Sequence, residues 1–206
     1  KELDLSLDVD PRILSHDAIV AVDNTGIKVT NRGECMREKW RIRRGWIKVY
    51  AMTDIETDQI LGLEVTDESV QDDPLFIPLL DQSTENCGKS HPIRQVVGDR
   101  GYDRIHVFNT MEKRGIKSGI KTPENAATGS TGSPYRAEYV RERVKSGGYR
   151  EWADTTKYGM RWKIEGIFSA VKRIFGESVT ASSREGIIRE VMMKFNCYNM
   201  LVSMAV

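Results

Sequence analysis

DAIVAVDNTGIKVT, residues 17–30, is an apolar, β-branched run with an aspartate at its middle. The residues before Asp23 read as a buried strand, and Asp23 places a charged group inside it. What pairs with this strand decides the fold.

Outward from it, WIKVYAMTDIETDQILGLEVTDES (46–69) predicts two further strands turned by the ETDQ cluster, so that the three form an antiparallel meander. DDPLFIPLLDQ (72–82) has the start and spacing of a helix, shortened or kinked by Pro78. IRQVVGD is a compact strand ending at Asp99. RIHVFNTMEKRG (104–115) reads as a helix with Val107, Phe108 and Met111 inward and Gly115 as its stop, and IKSGIKT (116–122) as a short strand. A Gly-, Ser-, Thr- and Pro-rich stretch that turns Arg-rich predicts a long loop excursion over about 123–153. Two long helices close the chain. The first runs from an N-cap at Asp154 to Phe175, and the second opens with a capping box at Ser182 and Glu185. The order β-β-β-α-β-α-β-α-α is that of an α/β fold, a mixed five-stranded sheet flanked by helices, in one domain over residues 1–206.

Composition excludes several classes. With 39% hydrophobic and 30% charged residues the chain is neither fibrous nor disordered. No apolar run approaches the ~18 residues that span a bilayer, so no membrane is expected. Cys35, Cys87 and Cys197 form neither a disulfide framework nor a thiolate metal motif, and a cytoplasmic location is expected. The net charge of +1 hides segregation: residues 28–50 carry eight Lys/Arg against two Glu, and residues 51–86 carry ten acids and no base. A polyanionic partner is therefore compatible with the near-neutral total.

YGMRWKIEGIFSAVK (158–172) ties these observations together. If it is one helix, Tyr158, Arg161, Glu165 and Lys172 fall within an arc of about 60° at ~100° per residue. They border an apolar face of Ile164, Ile167, Phe168, Val171, Ile174 and Phe175. With the first and fourth strands adjacent, such a helix would bring Glu165 over Asp23 and Asp99. Three carboxylates in one pocket repel unless cations neutralise them, and an oxygen-only ligand set suits hard divalent ions. Two such ions serve in-line phosphoryl displacement.

These residues carry a resemblance. VDNTGIK at Asp23, VVGDRGYD at Asp99, and Tyr158, Arg161, Glu165 and Lys172 in Y-x2-R-x3-E-x6-K spacing resemble the signatures of bacterial and archaeal DDE-class insertion-sequence transposases, over about residues 17–200. The resemblance implies a ribonuclease H-like catalytic domain in which Asp23, Asp99 and Glu165 bind two Mg²⁺ (or Mn²⁺) ions. It implies hydrolysis at the transposon ends, and transfer of the freed 3′-hydroxyl into target DNA. The partners would be double-stranded DNA and, in the DNA complex, a second copy of the chain as a homodimer. Tyr158, Arg161 and Lys172 would contact phosphates. Arg41, Arg43, Arg44 and Lys48 of REKWRIRRGWIK (37–48) are the next candidates for DNA contact. Family members usually carry a separate amino-terminal domain for end recognition, which is expected to be absent from these 206 residues. The alternatives are a ribonuclease H-like nuclease or resolvase, or a truncated DNA-binding relative without activity.

Overall fold

A computed structural model of the chain describes residues 6–30, 45–67, 70–129 and 131–205. Among the described residues the strands are β1 (Ala18–Val29), β2 (Trp46–Asp54), β3 (Ile60–Asp67), β4 (Ile93–Gly98), β5 (Lys117–Ile120) and the two-residue β6 (Ser178–Val179). They form one sheet in the order β3-β2-β1-β4-β5, with β6 alongside β1. The β1–β2 and β2–β3 pairs are antiparallel, whereas β1–β4 and β4–β5 are parallel. This is the mixed sheet expected from the sequence. The five expected strands gain β6, a short pairing at Lys28 and Val29.

Six helices flank the sheet among the described residues: α1 (Phe76–Cys87), α2 (Ile105–Lys113), α3 (Pro134–Lys145), α4 (Tyr149–Thr155), α5 (Trp162–Phe175) and α6 (Arg184–Met204). The alternation of β1 divides them. Ala21, Ile27 and Val29 face a core built with Ile164, Ile167, Phe168 and Val171 of α5 and Ile187, Val191 and Phe195 of α6. Ala18, Val20 and Val22 face the other core, with Phe76, Leu79 and Leu80 of α1 and Val107, Phe108 and Met111 of α2. Burying apolar side chains on both faces is what makes the central strands continuous hydrophobic runs.

Several expectations are corrected. Pro78 lies in the first turn of α1, where its missing N–H interrupts no bond, and the helix runs on to Cys87. The excursion at 123–153 is not a loop throughout, because α3 and α4 lie within it. Ser133 caps α3 by accepting from the Arg136 N–H, with Pro134 next to it at the helix start. The first closing helix does not begin at Asp154. After α4 the chain takes a left-handed step at Lys157 (φ 53°), makes a 3₁₀ turn over Tyr158–Arg161, and only then enters α5. Ile174 is 51% exposed and leaves the apolar face of that helix. The last helix is capped by Ser183, which accepts from the Gly186 N–H, rather than by Ser182. Glu185 pairs with Arg189 and closes no capping box.

Candidate active site

The end of β4 beside the middle of β1 creates the site. The last β1–β4 register pair is Val22 with Gly98, so Asp23 and Asp99 are the next residues on two neighbouring parallel strands. Asp99 ends β4 by capping a 3₁₀ turn, its Oδ1 accepting from the Gly101 N–H at 2.8 Å. Asp23 stays within β1 because that strand continues opposite β2, and its Oδ1 accepts from the Asn24 N–H at 2.8 Å. Its neighbour Asn24 turns to the other side, where its amide donates to Asp72 Oδ1 at 3.1 Å.

Glu165, in the first turn of α5, is linked to Asp23 through Arg161. Arg161 sits between the acids: its guanidinium donates to Asp23 through one terminal nitrogen and to Glu165 through the other. Asp23 and Arg161 are largely sheltered, with side chains 16% and 22% exposed, whereas Glu165 is 55% exposed. Burial raises the Asp23 carboxyl above its usual range. The Asn24 N–H and Arg161 oppose that shift, and the charges of Asp99 and Glu165 add to it. Burial works against the charge on Arg161, yet Asp23, Tyr158 and Glu165 hold the guanidinium more firmly protonated than usual.

The structure thus brings Asp23, Asp99, Glu165 and Arg161 together, but not on one helical stripe. Arg161 precedes α5 and Tyr158 lies a turn earlier in 3₁₀ geometry, so the arc drawn for a continuous helix holds only for Glu165 and Lys172. Tyr158 is fixed by aromatic packing, with its ring 5.0 Å from Trp152 and 6.3 Å from Tyr149. Lys172 reaches β1, where its Nζ donates to Thr25 Oγ1 at 2.7 Å. Lys48, facing the site from β2, donates to the Val70 carbonyl at 2.9 Å and lies 3.7 Å from Asp72. Arg41, Arg43 and Arg44 lie outside the described residues.

Residues that the sequence did not single out surround this group. Asp72, in the connection after β3, faces Asn24 and Lys48. Tyr102, fully buried, follows Asp99 in its 3₁₀ turn. Trp152 donates its indole N–H to Tyr139 at 3.1 Å, and Tyr139 in turn donates to the Ile120 carbonyl at 3.0 Å. The excursion thereby braces Tyr158 against the end of β5. Only its Ser-Pro start was a readable signal.

As ligands, the carboxylates offer hard oxygens suited to a divalent cation. With Arg161 lying between Asp23 and Glu165, no three His, Cys, Asp or Glu among the described residues stand close enough together to hold a metal ion. The guanidinium supplies the positive charge that the buried aspartate needs. No helix among the described residues is long and apolar enough to cross a membrane.

A family model described as a transposase DDE domain matches residues 14–200. Among solved structures, the chain is similar to a piggyBac transposase in a synaptic complex with hairpin DNA, at 9% identity and a TM-score of 0.49. The match covers 91% of this chain and 47% of that one, so the chain spans about half the length of that protein.

Proposed function

The chain belongs to the transposase DDE domain family, and we propose that it is the catalytic domain of a DNA transposase. Members of that family depend on divalent metal in general. Here Asp23, Asp99 and Glu165 would hold two ions, Mg²⁺ or Mn²⁺. Such ions, when bound there, would supply Lewis-acid activation of a water or a 3′-hydroxyl and stabilisation of the leaving oxygen at phosphorus. The reaction is hydrolysis of a phosphodiester at each transposon end, followed by attack of the freed 3′-hydroxyl on target DNA.

This chain's own residues supply the frame. Parallel pairing of β1 with β4 sets two carboxylates side by side, and α5 adds the third. Arg161 is the resident counter-cation and, once released from Asp23 and Glu165, a bidentate donor for a phosphate beside the reacting bond. Lys172 and Lys48 would hold the same strand as point charges, and Tyr158 as a neutral donor. Two copies of the chain would bring two ends together.

The observation that carries this reading is the register Val22 with Gly98, which makes Asp23, within β1, and Asp99, at the end of β4, neighbours. Its test is nicking and strand transfer by the protein containing this chain, on DNA bearing the cognate element's ends. Activity should require Mg²⁺ or Mn²⁺ and vanish on Asp99→Ala. Equal cutting in EDTA, or by the variant, would remove the ion pocket from the mechanism.

A further inference from the structure

We propose that the cleft between the end of β5 and the α3–α4 connection binds a phosphate group of the DNA backbone through Lys121, Thr122 and Arg143; the proposal rests on the reading of the chain as a DNA transposase. The cleft adjoins the carboxylates. Gly98 of β4 is in register with Ile120 of β5, so Asp99 and Lys121 are the next residues on neighbouring parallel strands. Their backbones stand about 4.8 Å apart, one interstrand spacing. The Lys121 N–H holds that approach by donating to the Gly98 carbonyl at 3.1 Å. The cleft is lined by Lys121, Thr122, Arg143, Val144 and Tyr149 and has a volume of about 560 Å³, within the range of ligand sites.

Charge in the cleft is unbalanced. The Arg143 guanidinium donates to the Thr122 carbonyl at 2.9 Å and the Pro123 carbonyl at 2.6 Å, neutral acceptors that leave its charge uncompensated. Among the described residues neither Lys121 nor Arg143 forms an ion pair, whereas Arg136 of the same helix is paired with Asp103. Glu124 also lines the cleft, from an exposed position, so that two cations face one acid. Such an excess in a concave site favours an anion. Unused donors give a second observation. Thr122 is 1% exposed and its hydroxyl has no hydrogen-bond partner, and neither has Arg143 Nε. Buried polar groups are as a rule paired, so two such groups in one cleft call for an acceptor from a ligand. A phosphate oxygen accepts from both, with the Lys121 ammonium as a point charge beside it. Tyr149, itself exposed, holds Lys121 at the cleft, with Nζ 5.2 Å from its ring centroid. The same ring packs against Trp152 and Tyr158, which joins the cleft to the aromatic group beside Arg161.

The test is a double-mutant cycle between side chain and phosphate. DNA bearing the cognate element's end is prepared with one backbone phosphate at a time replaced by a neutral methylphosphonate. Binding to the protein containing this chain is read by fluorescence anisotropy. The wild-type protein should lose about tenfold in affinity at one position beside the scissile phosphate, the loss of a charge-assisted contact. In Lys121→Ala that penalty should vanish while penalties elsewhere along the strand persist, and the salt slope should fall by about one. Thr122→Val should shrink the same penalty without changing the slope, and Glu124→Gln should tighten binding of unmodified DNA. Equal methylphosphonate profiles for wild type, Lys121→Ala and Thr122→Val would take the cleft off the DNA and leave the transposase reading in place. Inorganic phosphate alone, titrated by calorimetry, separates the two sources of the ligand. Saturable uptake that Lys121→Ala abolishes, with the DNA profile unchanged, would assign the cleft to a free anion and overturn the proposal. Failure of the wild-type protein to bind that DNA at all would bring down the transposase reading, and the subsite with it.

Discussion

Replacing Arg161 by alanine should separate its part as counter-ion from its proposed contact with DNA. In the free chain the guanidinium neutralises an Asp23 side chain that is only 16% exposed, and is itself 22% exposed. Breaking a fully buried pair costs about 3–5 kcal/mol and an exposed one about 0.2–1 kcal/mol. A pair sheltered to this degree should cost about 2 kcal/mol, between those limits. The more exposed contact to Glu165 is left out of that figure. In a chain of this length the loss corresponds to about 4–8 °C in melting temperature.

A urea double-mutant cycle with Asp23→Asn isolates the pair, and the coupling should be at least about 1 kcal/mol. The sign of its pH dependence follows from burial. Without Arg161 the Asp23 carboxyl, already raised, rises further. A group with a raised folded value contributes stability that is full below its unfolded value and lost as pH climbs through the folded one. The Arg161→Ala deficit should therefore be largest at neutral pH and shrink on acidification. Affinity for Mn²⁺ should rise in the same variant, since no guanidinium has to leave, while affinity for DNA falls. Coupling below about 0.3–0.5 kcal/mol, the scatter expected of independent sites, or a deficit that grows in acid, would refute the reasoning.

Other expectations are simpler to check. Lys172→Ala should weaken DNA binding in fluorescence anisotropy and lower the salt slope by about one; an unchanged slope would take Lys172 off the phosphates. Gly98→Ala puts a Cβ 2.9 Å from Val22 Cγ1 and 3.3 Å from the Tyr102 ring, and overpacking of this kind costs about 1–3 kcal/mol in urea unfolding. A neutral effect there would mean that β1 and β4 are less tightly apposed. Cys87 is buried, and its thiol is pushed from 9.0 up to about 12, chiefly by burial with Asp54 adding to it. The neutral thiol's contribution is thus complete below about pH 9 and declines toward pH 12. Iodoacetamide at pH 8 should label the exposed Cys197 and spare Cys87 until the chain unfolds; rapid labelling of Cys87 in the native protein would contradict its placement.

The strands were legible in the sequence because β1, β2 and β4 are buried on both faces and therefore carry unbroken apolar runs. Asp23 and Asp99 were legible for the same reason, as charges at the middle or end of such runs. Helix periodicity over 154–175 was misleading. Spacing alone cannot report the left-handed step at Lys157, so Tyr158 and Arg161 were placed on a helix that begins only at Trp162. Composition hid α3 and α4, because their charged surfaces and flanking glycines resemble a loop although Ser133 and Pro134 mark a start. Arginines of that excursion serve the fold. Arg136 makes a two-pronged pair with Asp103, and Arg143 caps the Thr122 and Pro123 carbonyls. Asp72 was read as the start of a helix, and only the tertiary contact to Asn24 sets it in the site.

Asp23, Asp99 and Glu165 would form the divalent-ion pocket proposed here, with Arg161 as the counter-ion in the free chain. Anomalous diffraction at the manganese edge, from crystals of the protein soaked in Mn²⁺, tests it most directly. The account predicts peaks among Asp23, Asp99 and Glu165, with the Arg161 guanidinium drawn away from Asp23. An anomalous map featureless at these carboxylates, with Arg161 still bridging Asp23 and Glu165 at saturating Mn²⁺, would contradict it.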